Sequence, residues 1–205
     1  MVQVHALLAG LEPPRVTTDV DMLIDTVVRR GSAQAVVASL RNIGFKAEEP
    51  GWPGAPFHRT RRGHDVVDVL VADHLPGHAI PRVTRRPVMS IDGGAQALAR
   101  TMSVGYRTNH GVGALTTTDL LGGLVLKAAA AVADTRDSGR HLGDAALLAA
   151  LVTDHANDRG RMRGSDRKRL LSLTKALADP YHPAWVALPD ALGRAGHDTL
   201  RILTA

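Results

Sequence analysis

Residues 64–72, His64-Asp-Val-Val-Asp-Val-Leu-Val-Ala72, form the strongest strand pattern in the chain. Valine favours extended backbone because its branched side chain packs well on a pleated surface. The preceding Arg59-Thr-Arg-Arg-Gly63 is typical of a hairpin tip, so we predict that 64–72 is the returning strand. Asp68 stands in the middle of this apolar run, where a carboxylate is costly to bury without a partner. This position makes Asp68 a candidate site residue.

A second strand is predicted from Val16 to Ile24, and it carries two acidic residues on one face. Asp19 and Asp21 are two positions apart, and alternate side chains of a strand project from the same face. Their carboxylates repel one another unless a positive group lies between them, and a hard cation such as Mg²⁺ meets this need. If this strand pairs beside the Asp68 strand, three carboxylates converge on one metal site. The alternative is that Asp19 and Asp21 line the solvated face of an edge strand.

The composition restricts the class of protein. The 205 residues are 44% hydrophobic and 22% charged, which is typical of a globular chain. The absence of cysteine excludes a disulfide scaffold, a thiolate zinc site and a cysteine nucleophile. Aromatic residues make up only 3%, which disfavours a protein that stacks single-stranded bases on aromatic rings. No apolar run is long enough to span a membrane and no signal peptide is evident, so we expect a cytoplasmic protein without a membrane partner.

The pattern of the chain changes near residue 116. Before it we predict helices at 1–9 and 32–43, a helical turn at 96–99, and further strands near 82–89 and 100–106. After it we predict a helix at 120–134 that Thr118 and Asp119 can cap, and further helices at 141–152, 165–178 and 189–203. The predicted fold class is therefore α+β, with a small mixed β-sheet and flanking helices over 1–115, followed by a C-terminal helical bundle over 116–205.

Lys127 is the second notable charge, since it stands in the middle of an apolar helix. Asp144 has a similar place in the next predicted helix and could pair with Lys127 and orient it. The functional interpretation is a cation that reaches a phosphate from a rigid element. The alternative is a lysine whose ammonium group extends to solvent at the edge of the helix.

Basic residues are concentrated in 159–169, and the net charge of the chain is +5. Such a run can follow a nucleic-acid backbone through phosphate contacts, although a solvated loop and helix start is an equally good interpretation. The familiar phosphate-loop, dinucleotide-binding, zinc-protease and serine-hydrolase motifs are absent from the sequence.

The order of these segments resembles the AbiEii-like nucleotidyltransferases. These are the toxins of type IV toxin–antitoxin pairs, include the MenT branch, and belong to the polymerase-β-like superfamily. Arg15-Val-Thr-Thr-Asp-Val-Asp21 is similar to the family's Arg-x-Ser/Thr-x-Asp-x-Asp motif, and Val67-Asp-Val-Leu70 to the strand with its third carboxylate. The helix of Lys127 with Arg136 resembles the family's lysine helix, and residues 140–147 resemble its Arg-Asp-x-x-Asp-Leu segment.

The resemblance implies an enzyme that transfers a nucleotide from an NTP to RNA, with the tRNA 3′ end as the expected acceptor, and so blocks translation. It further implies Mg²⁺ (or Mn²⁺) as cofactor and a cognate antitoxin as protein partner. The resemblance implies metal binding by Asp19, Asp21 and Asp68, and Asp68 is also a candidate base. It implies nucleotide binding by Arg15, Thr17, Lys127 and Arg136. It also implies that Lys127 and Asp144 complete the catalytic set.

Two features depart from the family pattern. The family's Gly-Gly or Gly-Ser turn is missing ahead of the metal strand, and we expect it upstream of Met1. His141 replaces the acid that follows Arg140 in the family, and alanine follows Asp144. Two alternative functions therefore stay open: a nucleotidyltransferase that modifies small molecules such as antibiotics, and a degenerate member that binds RNA or a protein partner without turnover.

Overall fold

The computed structural model describes residues 1–13, 19–28 and 31–205. It divides into two compact units. The sheet unit is Val16–Leu98, and the helical unit combines Met1–Arg15 with Ala99–Ala205. The predicted domains 1–115 and 116–205 differ from these units, since they group the first helix and residues 99–115 with the sheet.

The fold is mixed α/β, with a small mixed sheet and several helices that include the C-terminal ones, and this confirms the predicted class at that level. The strands are β1 Asp19–Ile24, β2 Lys46–Ala47, β3 Arg59–Arg62, β4 Asp65–Ala72, β5 Arg82–Val83, β6 Arg86–Pro87, β7 Ser90–Ile91, β8 Thr101–Thr108 and β9 Gly111–Thr118. The helices are α1 Val2–Leu8, α2 Ser32–Asn42, α3 Gly94–Leu98, α4 Leu120–Ala133, α5 Ser138–Ala150, α6 His155–Arg161, α7 Asp166–Ala176, α8 Pro183–Val186 and α9 Asp190–Thr204.

The sheet of the sheet unit has the strand order β1-β4-β3-β2, and β7 also pairs with β4. β4 is parallel to β1 and β7 and antiparallel to β3. The predicted hairpin with its returning strand is therefore confirmed, but Arg59–Arg62, predicted as part of the tip, form strand β3. One face of the sheet is apolar and packs on α2; its buried residues include Ile24, Val67, Val69 and Val71 from the strands and Val37 and Leu40 from the helix.

The core of the helical unit is built mainly from aliphatic residues of α4 and α5. Leu121, Leu124 and Leu148 are completely buried, and Val2 and Ala6 of α1 belong to the same cluster. α4 begins after Asp119, whose carboxylate accepts a hydrogen bond from the Gly122 N–H, so the predicted Asp119 cap is confirmed. Among the residues that the structure describes, no helix is both long and apolar enough to cross a membrane.

β8 and β9 form a separate two-stranded ribbon in the helical unit. Their register runs from Thr101 opposite Thr118 to Thr108 opposite Gly111. Most side chains of the ribbon are exposed. The base of the ribbon is held by α1, since His5 Nε2 donates to the Thr118 carbonyl oxygen over 2.8 Å.

Three features of the fold differ from the sequence prediction. Strands β2, β7 and β9 and helices α6 and α8 were not predicted. The predicted strand at 82–89 is instead a tight hairpin of β5 and β6, in which Thr84 and Arg85 both adopt positive φ without a glycine to indicate the turn. The N-cap of α2 is Gly31, whereas Ser32 is its first residue and donates from Oγ to the Asp25 carbonyl oxygen.

Close packing of α9 on α5 and α8 gives a test of this arrangement. A Cβ atom at Gly196 would lie 2.7 Å from the Trp185 ring and 3.0 Å from the Ala150 backbone nitrogen. We expect Gly196→Ala to lower the free energy of unfolding by about 1–3 kcal/mol in urea denaturation, because the added methyl group overpacks the interface.

Gly143→Ala is the matched control for this substitution. Gly143 lies inside α5, and a Cβ atom there would meet nothing within 4 Å. Alanine should therefore raise the free energy of unfolding by about 0.5–1 kcal/mol through its better helix propensity. Equal effects of the two substitutions would contradict the packing described for α9.

Candidate active site

The first group of candidate residues lies on the second face of the sheet. β1 and β4 are parallel neighbours, with Asp21 directly in register with Asp68. The condition set in the sequence analysis, that the Asp68 strand pairs beside the Asp19–Asp21 strand, is therefore met. Because paired positions on neighbouring strands share a face, Asp19, Asp21 and Asp68 all belong to one side of the sheet. Asp19 and Asp21 are exposed, whereas the side chain of Asp68 is only 13% exposed.

Asp65 is separated from this group on the opposite face of β4. It lies three residues before Asp68 and pairs instead with Arg62, whose Nη2 is 3.0 Å from Asp65 Oδ2. The Arg62 guanidinium is 4.8 Å from the centre of the Phe45 ring, which belongs to the apolar core on the α2 side. Asp65 is therefore an acidic residue of β4 that lies outside the candidate site.

Asp68 has a positive partner that the sequence analysis missed. Arg59, directly opposite on β3, donates from Nε to Asp68 Oδ1 and from Nη2 to Asp68 Oδ2, both over 2.7 Å. The Asp68 hydrogen bonds raise the pKa of Arg59 above its ordinary value, partly offset by burial. The observed turn at Gly63 and His64 places Arg59 across from Asp68, whereas the sequence pattern predicts Arg59 within the tip of the hairpin.

The donor atoms fit a hard cation, but the predicted three-carboxylate cage is not found. Within residues 1–13, 19–28 and 31–205, no group of three or more histidine, aspartate and glutamate side chains could hold a metal ion. Mg²⁺ is commonly bound by only one or two carboxylates together with substrate phosphates. Asp21 and Asp68, in register and on one face, match that smaller requirement, although both oxygens of Asp68 face Arg59. Arg15 and Thr17, which the resemblance assigns to nucleotide binding, lie outside the described residues.

The second group of candidate residues belongs to the helical unit. Lys127 Nζ of α4 lies 2.8 Å from Asp144 Oδ2 of α5, which confirms that the two residues pair. The side chains of Lys127 and Asp144 are 17% and 2% exposed. The pair is therefore nearly buried, and the interpretation of Lys127 as a lysine extended into solvent is wrong.

His141 adds a third ionisable group beside this pair. It is buried, its Nε2 lies 3.6 Å from Asp134 Oδ2, and its Nδ1 has no hydrogen-bond partner among the residues that the structure describes. Burial and the positive charges of Lys127 and Arg140 lower the pKa of His141 below 6.5, and Asp134 only partly offsets them. Arg136, a predicted nucleotide ligand, lies in the turn between α4 and α5 with its side chain 95% exposed.

The basic run 159–169 has structural partners. Arg161 pairs with Asp119 and Asp158, and Arg167 donates to the Thr204 carbonyl oxygen. A buried pair of Arg100 with Asp166, at the start of α7, was also missed, because nothing in the sequence links positions so far apart. These contacts hold α6, α7 and α9 in place, so this run gives little support for a nucleic-acid interface.

The Lys127–Asp144 pair makes a prediction about stability. Asp144→Ala should lower the free energy of unfolding by about 3 kcal/mol or more, because it leaves the ammonium group without its buried partner. The double variant Lys127→Met/Asp144→Leu should recover most of that loss, since it replaces both charges by apolar groups. Urea unfolding measures both, and a double variant as unstable as the single one would show that the loss does not come from the unpaired charge of Lys127.

Two buried histidines predict how stability changes with pH. Burial lowers the pKa of His5 below 6.5, as it does for His141. These two histidines therefore bind protons near pH 6.5 in the unfolded chain and only at lower pH in the folded protein. The free energy of unfolding should consequently fall as the pH drops below about 6.5. Replacing His5 and His141 by glutamine should flatten this fall in unfolding experiments, whereas His110→Gln at the exposed ribbon tip should not.

Comparison with known proteins leaves the family open. No protein-family model matches the chain, and no curated protein or solved structure matches it.

Proposed function

We propose that this protein is a metal-dependent nucleotidyltransferase that transfers nucleotides from an NTP to RNA. The observation that carries the proposal is the in-register pair of Asp21 and Asp68 on parallel strands, with Asp19 two residues earlier on the same face. The motif resemblance adds the reaction, the tRNA 3′ end as acceptor, a polymerase-β-like core for the sheet unit and the role of a toxin held in check by a cognate antitoxin.

The chemistry requires a nucleophile, a leaving group and a place for one proton. The 3′-hydroxyl oxygen of the RNA forms a bond to the α-phosphorus of the NTP, and the bond from that phosphorus to the bridging oxygen breaks, so pyrophosphate leaves. Mg²⁺, when bound, neutralises part of the triphosphate charge. We assign Asp19 and Asp21 to holding that ion and Asp68 to its third contact or to acceptance of the hydroxyl proton. Lys127, oriented by Asp144, is assigned to the triphosphate on the strength of the resemblance.

One observation favours the non-catalytic alternative. Arg59 engages both oxygens of Asp68, so this carboxylate already has the positive charge that a metal ion would otherwise supply. Asp19, Asp21 and Asp68 define the carboxylate face of the sheet. A degenerate protein that keeps this carboxylate face for structural reasons would show the same contact. The two functions differ in whether the protein transfers a nucleotide, and transfer experiments distinguish them.

Asp19→Ala tests the catalytic proposal. With Mg²⁺, α-labelled NTPs and total tRNA, the unmodified protein should place label on tRNA, and Asp19→Ala should reduce that rate by about 100-fold or more because a charge-stabilising group is lost. Asp65→Ala is the matched control, since Asp65 also begins a strand and is exposed but belongs to the opposite face.

The acceptors distinguish the alternatives in the same experiment. Label on an aminoglycoside rather than on tRNA would support the small-molecule enzyme. Retained RNA binding without any label, in both the unmodified protein and Asp65→Ala, would support the non-catalytic protein. Equal transfer by Asp19→Ala and the unmodified protein would refute the assigned site.

A further inference from the structure

The contact between Arg59 and Asp68 is the best-defined interaction of the carboxylate face. Its two hydrogen bonds are parallel and short, which is the strong geometry for a guanidinium and a carboxylate. Arg59 is held there by the β3–β4 pairing, in which its Cα position is directly opposite that of Asp68. The contact is therefore built into the hairpin and does not depend on a flexible loop.

The same contact opposes the binding of a divalent ion. The Asp68 oxygens that would face the ion are directed to Arg59, and a second positive charge close to the guanidinium is repelled. Asp21 is exposed and in register with Asp68, so it remains available beside the arginine. A cation can use both carboxylates only if Arg59 releases Asp68.

Arg59 has a second acidic neighbour to which it can turn. Glu48 Oε2 lies 3.8 Å from Arg59 Nε, and the side chains of Arg59 and Glu48 are 32% and 45% exposed. The guanidinium is therefore at the edge of the site and accessible to solvent. Guanidinium groups also bind phosphate oxygens with the same forked geometry that they use for carboxylates.

We propose that Arg59 is an internal counter-ion that occupies Asp68 until nucleotide and metal arrive together. The Arg59 guanidinium then binds the triphosphate, and the cation binds Asp68 and Asp21 in place of Arg59. This inference rests on the proposed function, which it deepens by assigning a further nucleotide-binding residue. By reciprocal linkage, the metal alone binds weakly, and nucleotide and metal each strengthen the binding of the other.

Binding of Mn²⁺, followed by electron paramagnetic resonance, tests this role without turnover. Arg59→Gln should bind Mn²⁺ alone about tenfold more tightly than the unmodified protein, because the guanidinium that competes for both Asp68 oxygens is gone. A non-hydrolysable NTP analogue should increase Mn²⁺ affinity in the unmodified protein, and it should do so much less in Arg59→Gln. The analogues of all four NTPs are used.

Arg61→Gln is the matched control. Arg61 lies two residues along β3 on the same face, is also 3.8 Å from Glu48, and is paired in register with Val66. The Arg61→Gln substitution removes the same charge and leaves the Arg59–Asp68 contact in place. The Mn²⁺ affinity of this variant should therefore change by less than about twofold. If Arg59→Gln does not fold, Arg59→Lys keeps the charge but loses the fork, and it should shift Mn²⁺ affinity in the same direction.

The outcomes separate this inference from the proposed function. Unchanged or weaker Mn²⁺ binding by Arg59→Gln, with binding abolished by Asp68→Asn, would overturn the counter-ion role and leave the metal site standing. Mn²⁺ binding that is the same in Asp21→Asn, Asp68→Asn and the unmodified protein would overturn both proposals, as would the absence of Mn²⁺ binding in every variant with and without nucleotide.

Discussion

The parallel pairing of β1 with β4 is the constraint on which the candidate site depends. It brings Asp21 level with Asp68 although the two residues are far apart in the chain. Val67, Val69 and Val71 of β4 belong to the core with α2, and a shift by one residue would move every side chain to the other face. The carboxylates are therefore held on one surface by the same valines that build the core.

A buried or partly buried carboxylate needs compensation, and the structure supplies it with arginine. Asp68 is matched by Arg59, Asp166 by Arg100 and Asp119 by Arg161. Arginine suits this task because its planar group donates several hydrogen bonds at fixed angles and stays charged. Lys127 with Asp144 is the contrasting case, in which a single ammonium group meets a nearly buried carboxylate.

The sequence predicted those features that are encoded by local pattern. The valines of β4, the Asp119 cap of α4 and the spacing of Asp19 and Asp21 each follow from neighbours within a few residues. The pairing of Lys127 with Asp144 was predicted because both interrupt apolar helices. The Arg59 contact was missed because the pattern predicts Arg59 in the hairpin tip, whereas Arg59 lies in β3 opposite Asp68. The Arg100–Asp166 pair was missed because tertiary packing alone brings the two residues together. The β5–β6 turn was missed because Thr84 and Arg85 adopt a backbone usually reserved for glycine or asparagine.

The composition of the helical unit has a consequence for how the chain folds. Val2 and Ala6 belong to a core whose other members follow residue 120, so the entire sheet unit forms a loop between them. Closing such a long loop costs entropy before any contact is gained, and contacts of high sequence separation slow folding. During synthesis the sheet unit, which is continuous in sequence, is complete before α4 and α5 emerge from the ribosome. Helix α1 must therefore wait, with its apolar face unburied, until α4 and α5 have been made.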